Sequence, residues 1–182
     1  MKKAIAIVEF TTISAGIKAA DTMAKTAEIE IVEAGAVCPG KYMIVISGLL
    51  SAVNASVEAA KATNGERYIS GFILGNPHEG LLPAFYGTTD VKKLQAIGVF
   101  ETFDAASAVM AADEAVKTAH VDLIEIRLAK GMCGKSFATM TGEVAAVEAA
   151  IARATAATAK SGMLLDSCII ANPDKKLERF IL

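Results

Sequence analysis

One pentapeptide concentrates the chemistry of this chain: Val37-Cys38-Pro39-Gly40-Lys41. Pro39 fixes its own φ and Gly40 reaches φ angles that other residues avoid, so the triplet can build a tight turn that holds a thiol in one direction. Lys41 beside it could lower the thiol pKa or balance negative charge gathered there. A plain hairpin turn, with Cys38 as its small residue, would use the same residues. Two further cysteines, Cys133 and Cys168, make the count odd and the spacing wide, which argues against a disulfide framework. Cys168 lies in the apolar run Ser167-Cys168-Ile169-Ile170 and reads as a buried small hydrophobe.

Other chemistries find little support. The two histidines, His78 and His120, permit no Ser/His/Asp arrangement, and there is neither a phosphate-binding glycine loop nor zinc-ligand spacing. No catalytic residue is expected, so the chain reads as a non-enzyme. With 21% charged residues and a net charge of -2 there is no basic field to recruit nucleic acid. Hydrophobic residues reach 53% and mean hydropathy +0.45 without any Trp. The longest uncharged stretch, 42–57, contains Ser47, Gly48, Ser51 and Asn54 and falls short of the ~20 apolar residues of a membrane span. The opening Met1-Lys2-Lys3-Ala4 leads into an alternating segment ending at Glu9 rather than a long apolar core, so a signal peptide is not expected and the chain is expected in the cytoplasm. Such apolar content without a membrane segment points to surface covered by other subunits.

The elements that must position the thiol come in two copies. Ala4-Ile5-Ala6-Ile7-Val8-Glu9 matches Ala96-Ile97-Gly98-Val99-Phe100-Glu101, and Ala19-Ala20-Asp21 with Lys25-Thr26-Ala27 matches Ala111-Ala112-Asp113 with Lys117-Thr118-Ala119. The register then slips by two residues: Gly40-Lys41 answers Gly134-Lys135 and Ser47-Gly48 answers Thr141-Gly142. A further slip brings Asn76-Pro77 onto Asn172-Pro173, and both length changes are expected in loops. Glu9 and Glu101 occupy equivalent positions, which suggests a structural job done twice.

Within one copy, periodicity predicts a strand over 4–9, then an amphipathic helix over 13–27 with Ile13, Ile17, Ala20 and Ala24 on one face. A strand over 29–34, a turn at 38–40, a strong apolar strand over 42–47, a helix over 49–63 and a strand over 68–74 follow. The order βαββαβ is the split-βαβ, ferredoxin-like arrangement, an antiparallel sheet with both helices on one face. The fold class is therefore α+β, with two tandem domains expected at 1–88 and 89–182 and a polar linker over 86–95. Two similar domains related by a rotation close a ring when that rotation continues through further chains. Three chains would give a pseudo-hexameric homotrimer.

The Ala-Ile-x-x-x-Glu opening strand in both copies, the helix ends Met23-Ala24-Lys25-Thr26-Ala27 and Ala115-Val116-Lys117-Thr118-Ala119, and the Gly-Lys then Ser/Thr-Gly pattern around each third strand resemble bacterial microcompartment shell proteins of the tandem-domain, trimer-forming class. The resemblance covers essentially the whole chain. It implies a tile that packs with itself and with other shell proteins, with neither nucleic acid nor membrane as a partner. It also implies that Lys25 and Lys117 lie at the tile edge, with Asn76 and His78 near a subunit contact. The Cys-Pro-Gly loop is similar to the pore loop of propanediol-utilisation shell proteins that carry an iron–sulfur cluster. That similarity implies a [4Fe-4S] cluster on the trimer axis, held by Cys38 from three chains, for electron transfer across the shell or cluster supply to enclosed redox enzymes. The pore loops would then comprise Val37, Pro39, Gly40 and Lys41 in copy one and Lys130, Gly131, Met132, Cys133 and Gly134 in copy two. The second loop is two residues longer and lacks the Cys-Pro-Gly triplet; Cys133 is a second choice of ligand, expected to face the loop interior. The alternatives are a metabolite-conducting pore tile without a cluster and a small-ligand-binding regulatory module.

Overall fold

A computed structural model describes residues 4–159 and 161–182. In the first compact unit, Met1–Pro77, the elements are β1 (Ala4–Phe10), α1 (Ile13–Thr26), β2 (Ile29–Val37), β3 (Lys41–Gly48), α2 (Leu50–Asn64) and β4 (Tyr68–Leu74). The sheet is antiparallel throughout in the order β2-β3-β1-β4, the split-βαβ topology. Both helices cover one face. Ala4, Ala6, Val8 and Phe10 of β1 alternate with residues of the other face and pack with Ile44, Ile46, Ala19, Met23, Val53 and Val57. Thr12 caps α1, its hydroxyl accepting from the Ala15 N–H.

The second unit, His78–Leu182, repeats this plan with β5 (Ala96–Thr102), α4 (Ala105–Thr118), β6 (Asp122–Leu128), β7 (Ser136–Gly142), α5 (Val144–Ala159) and β8 (Leu164–Ile170), in the order β6-β7-β5-β8. Asp104 takes the place of Thr12 as the cap, accepting from the Ser107 N–H at 2.9 Å. The pairing registers show where the copies slip. Ala36 faces Tyr42 as Leu128 faces Ser136, so the first length change lies entirely in the loop between the second and third strands. Of the two residues in the second slip, one lengthens the helix, α5 having 16 residues against 15 in α2, and the other lies between helix and last strand.

Two features depart from the sequence reading. The compact units divide at Pro77/His78, so residues 78–88, expected with the first domain, pack with the second. They contain a short helix, α3 (Leu81–Tyr86), whose Leu81 and Ala84 are buried and which packs on β6 and α4. A second short helix, α6 (Glu178–Ile181), follows β8 and is almost wholly exposed. In α1 the buried residues are Gly16, Ala19 and Met23, whereas Ile13 and Ile17 are exposed. The apolar stripe and the packed stripe therefore differ, because α2 and the sheet lie against the small-residue side. No helix among the described residues is long and apolar enough to cross a membrane.

Candidate functional site

The Cys38 hairpin is short and closed. Val37, the last residue of β2, pairs with Lys41, the first of β3, and the Gly40 N–H donates to the Val37 carbonyl at 2.9 Å. Between them the Cys38–Pro39 peptide is cis and Gly40 takes φ 92°, a conformation glycine adopts without a Cβ clash. Cys38 is half-buried at the tip. The Lys41 ammonium donates to Glu9 Oε2 at 2.8 Å, tying the start of β3 to β1.

The same ion pair recurs in the second unit, where Lys135 meets Glu101 at 3.6 Å. Glu9 is nearly buried and Glu101 is not, but both tie β1 or β5 to the lysine that opens the third strand. This is the duplicated structural job expected of the two glutamates.

The loop of the second unit is built differently. The Ala129 N–H donates to both the Lys135 carbonyl and Ser136 Oγ at 3.1 Å, and the Lys135 N–H donates to the Met132 carbonyl at 3.1 Å. Ala129, Gly131, Cys133 and Gly134 all have positive φ. For Ala129 and Cys133 that conformation costs about 1 kcal/mol each, so the loop's hydrogen bonds must hold it. Cys133 is exposed, not turned into the loop as expected. Cys168 is exposed too: β8 is an edge strand, and Ile169 and Ile170 beside it are exposed as well.

Among the described residues, no three His, Cys, Asp or Glu side chains of one chain converge to hold a metal ion.

Of the expected edge residues, Lys25 lies at the exposed end of α1 and binds Asp21 at 2.7 Å, with side chains 75% and 60% exposed. Lys117 makes the same pair with Asp113, whose side chain is 3% exposed. The other Asp113 oxygen accepts the His78 N–H at 2.8 Å, and His78 Nδ1 accepts the Gly80 N–H at 3.2 Å. Asp113 thus fastens the segment entering α3 to α4. Sequence reasoning missed it, although Asp-x-x-x-Lys at the same place in both copies was the available signal.

The BMC domain family matches residues 4–77 and 96–173, one match per copy. The chain belongs to that family and is a tandem-domain shell protein of a bacterial microcompartment, placed in its shell. It is 32% identical to the bacterial microcompartment shell protein PduT of Citrobacter freundii over 98% of this chain and 97% of that one. The carboxysome shell protein CcmK2 of a Synechocystis strain is 33% identical over 52% of this chain and 98% of its own length, as expected if it holds one such domain. A microcompartment protein of Desulfitobacterium hafniense, solved by crystallography, superposes with a TM-score of 0.95 at 42% identity, covering 98% of this chain and 99% of that one. The fused, permuted hexameric shell protein MSM0275 of the RMM microcompartment shares the fold, with a TM-score of 0.60 at 20% identity over 87% of this chain and 82% of that one.

Proposed function

We propose that this shell tile is non-catalytic and assembles as a homotrimer with pseudo-sixfold symmetry, in which three Cys38 thiolates meet on the axis and hold a [4Fe-4S] cluster. The observation that carries this reading is the presentation of Cys38: one partly exposed thiol per chain at the tip of a hairpin closed by the Gly40–Val37 hydrogen bond. Such a turn has little freedom to swing, which is what a ligand contributed singly by each of three chains requires. Three thiolates leave the fourth iron for water or a small external ligand. When bound, the cluster supplies a one-electron redox centre, suited to electron transfer across the shell or to cluster supply for enclosed redox enzymes. Glu9, by engaging Lys41, fixes the base of the hairpin from the neighbouring strand. Cys133 stays outside the ligand set. Lys25, Lys117, Asn76 and His78 form the tile edge toward other tiles of the shell.

The engagement of Lys41 by Glu9 favours a second reading in which the pore is open to metabolites and Cys38 is a free thiol. Anaerobic purification of wild type and Cys38→Ser, with iron and sulfide assays and electron paramagnetic resonance, separates the two. The expected result is a brown wild type with about one cluster per three chains and a colourless variant that still forms trimers. A wild type without iron after cluster reconstitution would leave the metabolite pore.

A further inference from the structure

The Cys38 hairpin and the loop that answers it in the second unit differ at their bases as well as their tips. Tyr42, the second residue of β3, pairs with Ala36 of β2 and with Phe10 of β1, and its ring packs against the core on the helix-covered face of the sheet. Gly16 of α1 sits directly on that ring. A Cβ on Gly16 would lie 2.3 Å from Cδ1 of Tyr42 and 2.4 Å from both its Cβ and its Cγ. Two of those atoms are the root of the side chain, so the ring could not swing aside; helix and strand would have to part. Bare helix backbone is thus pressed onto the base of the hairpin.

Lys41, one residue nearer the tip, alternates to the opposite face and is held there by Glu9, whose side chain is 8% exposed. The hairpin is therefore gripped from both faces of the sheet, and only Cys38, Pro39 and Gly40 lie beyond the grip, closed by the Gly40–Val37 hydrogen bond. The second unit has neither hold. Ala108 stands for Gly16 and Ser136 for Tyr42, and the Ser136 hydroxyl accepts from the Ala129 N–H of its own loop instead of reaching a helix. Lys135 and Glu101 are 3.6 Å apart, with side chains 42% and 40% exposed. The ring under bare helix backbone goes with the loop that carries Cys-Pro-Gly.

We infer that Gly16 and Tyr42 are positioning residues for Cys38: α1 presses the Tyr42 ring onto the sheet and so fixes the direction in which the hairpin presents its thiol. This rests on the reading in which three chains bring Cys38 to one axis, where a ligand supplied once per chain has to arrive already oriented. Neither residue touches the thiol or anything bound to it; both act through the backbone of Lys41 and the closed turn above it.

The test uses the whole chain and the residue pair that the second unit carries at the same two positions. Gly16→Ala/Tyr42→Ser removes the grip with a combination this fold already accepts, Tyr42→Phe keeps the ring, and Val57→Ala weakens the same core away from the hairpin. Hydrogen exchange of the Gly40 amide reports the closure of the turn. The double variant should exchange there about tenfold faster than wild type, while Tyr42→Phe and Val57→Ala leave the rate unchanged. After anaerobic reconstitution, Tyr42→Phe should hold as much iron as wild type and the double variant less than about half of it. An unchanged Gly40 rate in the double variant, an equal acceleration in Val57→Ala, or full iron content despite fast exchange would each overturn the positioning role. A wild type that protects Gly40 but binds no iron would instead overturn the cluster reading and leave the grip standing.

Discussion

Asp21 and Asp113 occupy the same position in two copies of one fold, and each pairs with the lysine four residues on, yet the first is solvated and the second is enclosed. Their helices do not account for the contrast, since both are 14 residues long and capped by a side-chain oxygen. It comes from what lies above them. Nine residues of α4 are buried against three of α1 because the segment containing α3 sits on α4 and β6. A duplicated fold can therefore present one face twice, once covered within its own unit and once exposed.

The interiors of the copies teach a second lesson. A Cβ on Gly98 would lie 2.8 Å from Val147 and 2.9 Å from Ile151; the counterparts in the first unit are Ala6, Val53 and Val57, all in the core. One methyl has moved from strand to helix, keeping the summed volume close to constant, which is the exchange a close-packed interior tolerates. Gly16 is pressed against Tyr42 in the same way, while its counterparts are Ala108 and Ser136.

The contrast between the halves can be broken most forcefully at α3. Leu81→Ala should cost about 2–5 kcal/mol in urea unfolding, whereas Leu177→Ala, at the equivalent but exposed position, should leave the unfolding midpoint of the unassembled chain almost unmoved. Next comes the acidic pair. Removing the Asp113 carboxylate takes the acceptor from the His78 N–H and one ion-pair partner from Lys117, so Asp113→Ala should destabilise by about 2–3 kcal/mol, against less than about 1 kcal/mol for Asp21→Ala. Equal losses would show that burial does not distinguish the two.

Overpacking offers a sharper test of the interiors. Gly98→Ala should cost about 1–3 kcal/mol, and Ile151→Val added to it should restore part of that loss; additive losses in the double variant would refute the methyl exchange. Smaller still, Glu9→Gln should cost about 1–2 kcal/mol and Glu101→Gln no more than about 1 kcal/mol, because only Glu9 is nearly desolvated. The smallest effect concerns pH. Burial, reinforced by Glu58, raises the pKa of Tyr68, whose counterpart in the second unit is Leu164. The folded state then holds its proton more tightly than the unfolded chain, so stability falls as pH rises past the ordinary tyrosine pKa of about 10. Tyr68→Phe should flatten that alkaline decline, and an unchanged decline would assign it elsewhere.

Much of this was written in the chain. The repeat, both register slips, the βαββαβ order and the tight turn at Cys38 follow from residue identity and period alone, because each depends on neighbours within a few positions. The pairing of Glu9 with Lys41 was half visible, as a glutamate kept in both copies beside a Gly-Lys that was also kept. What the sequence could not settle was cover. The α3 segment holds six residues including Pro83, too short to be helical without tertiary contacts, so the sequence reading assigns no element between the strand over 68–74 and the linker over 86–95. Ile13 and Ile17 declare an apolar face but not what meets it, and Cys168 declares a small hydrophobe but not that its strand lies at a sheet edge. Local pattern fixes which surfaces are sticky; only the three-dimensional arrangement decides which of them the chain covers itself and which it leaves bare, because burial depends on residues far apart in sequence.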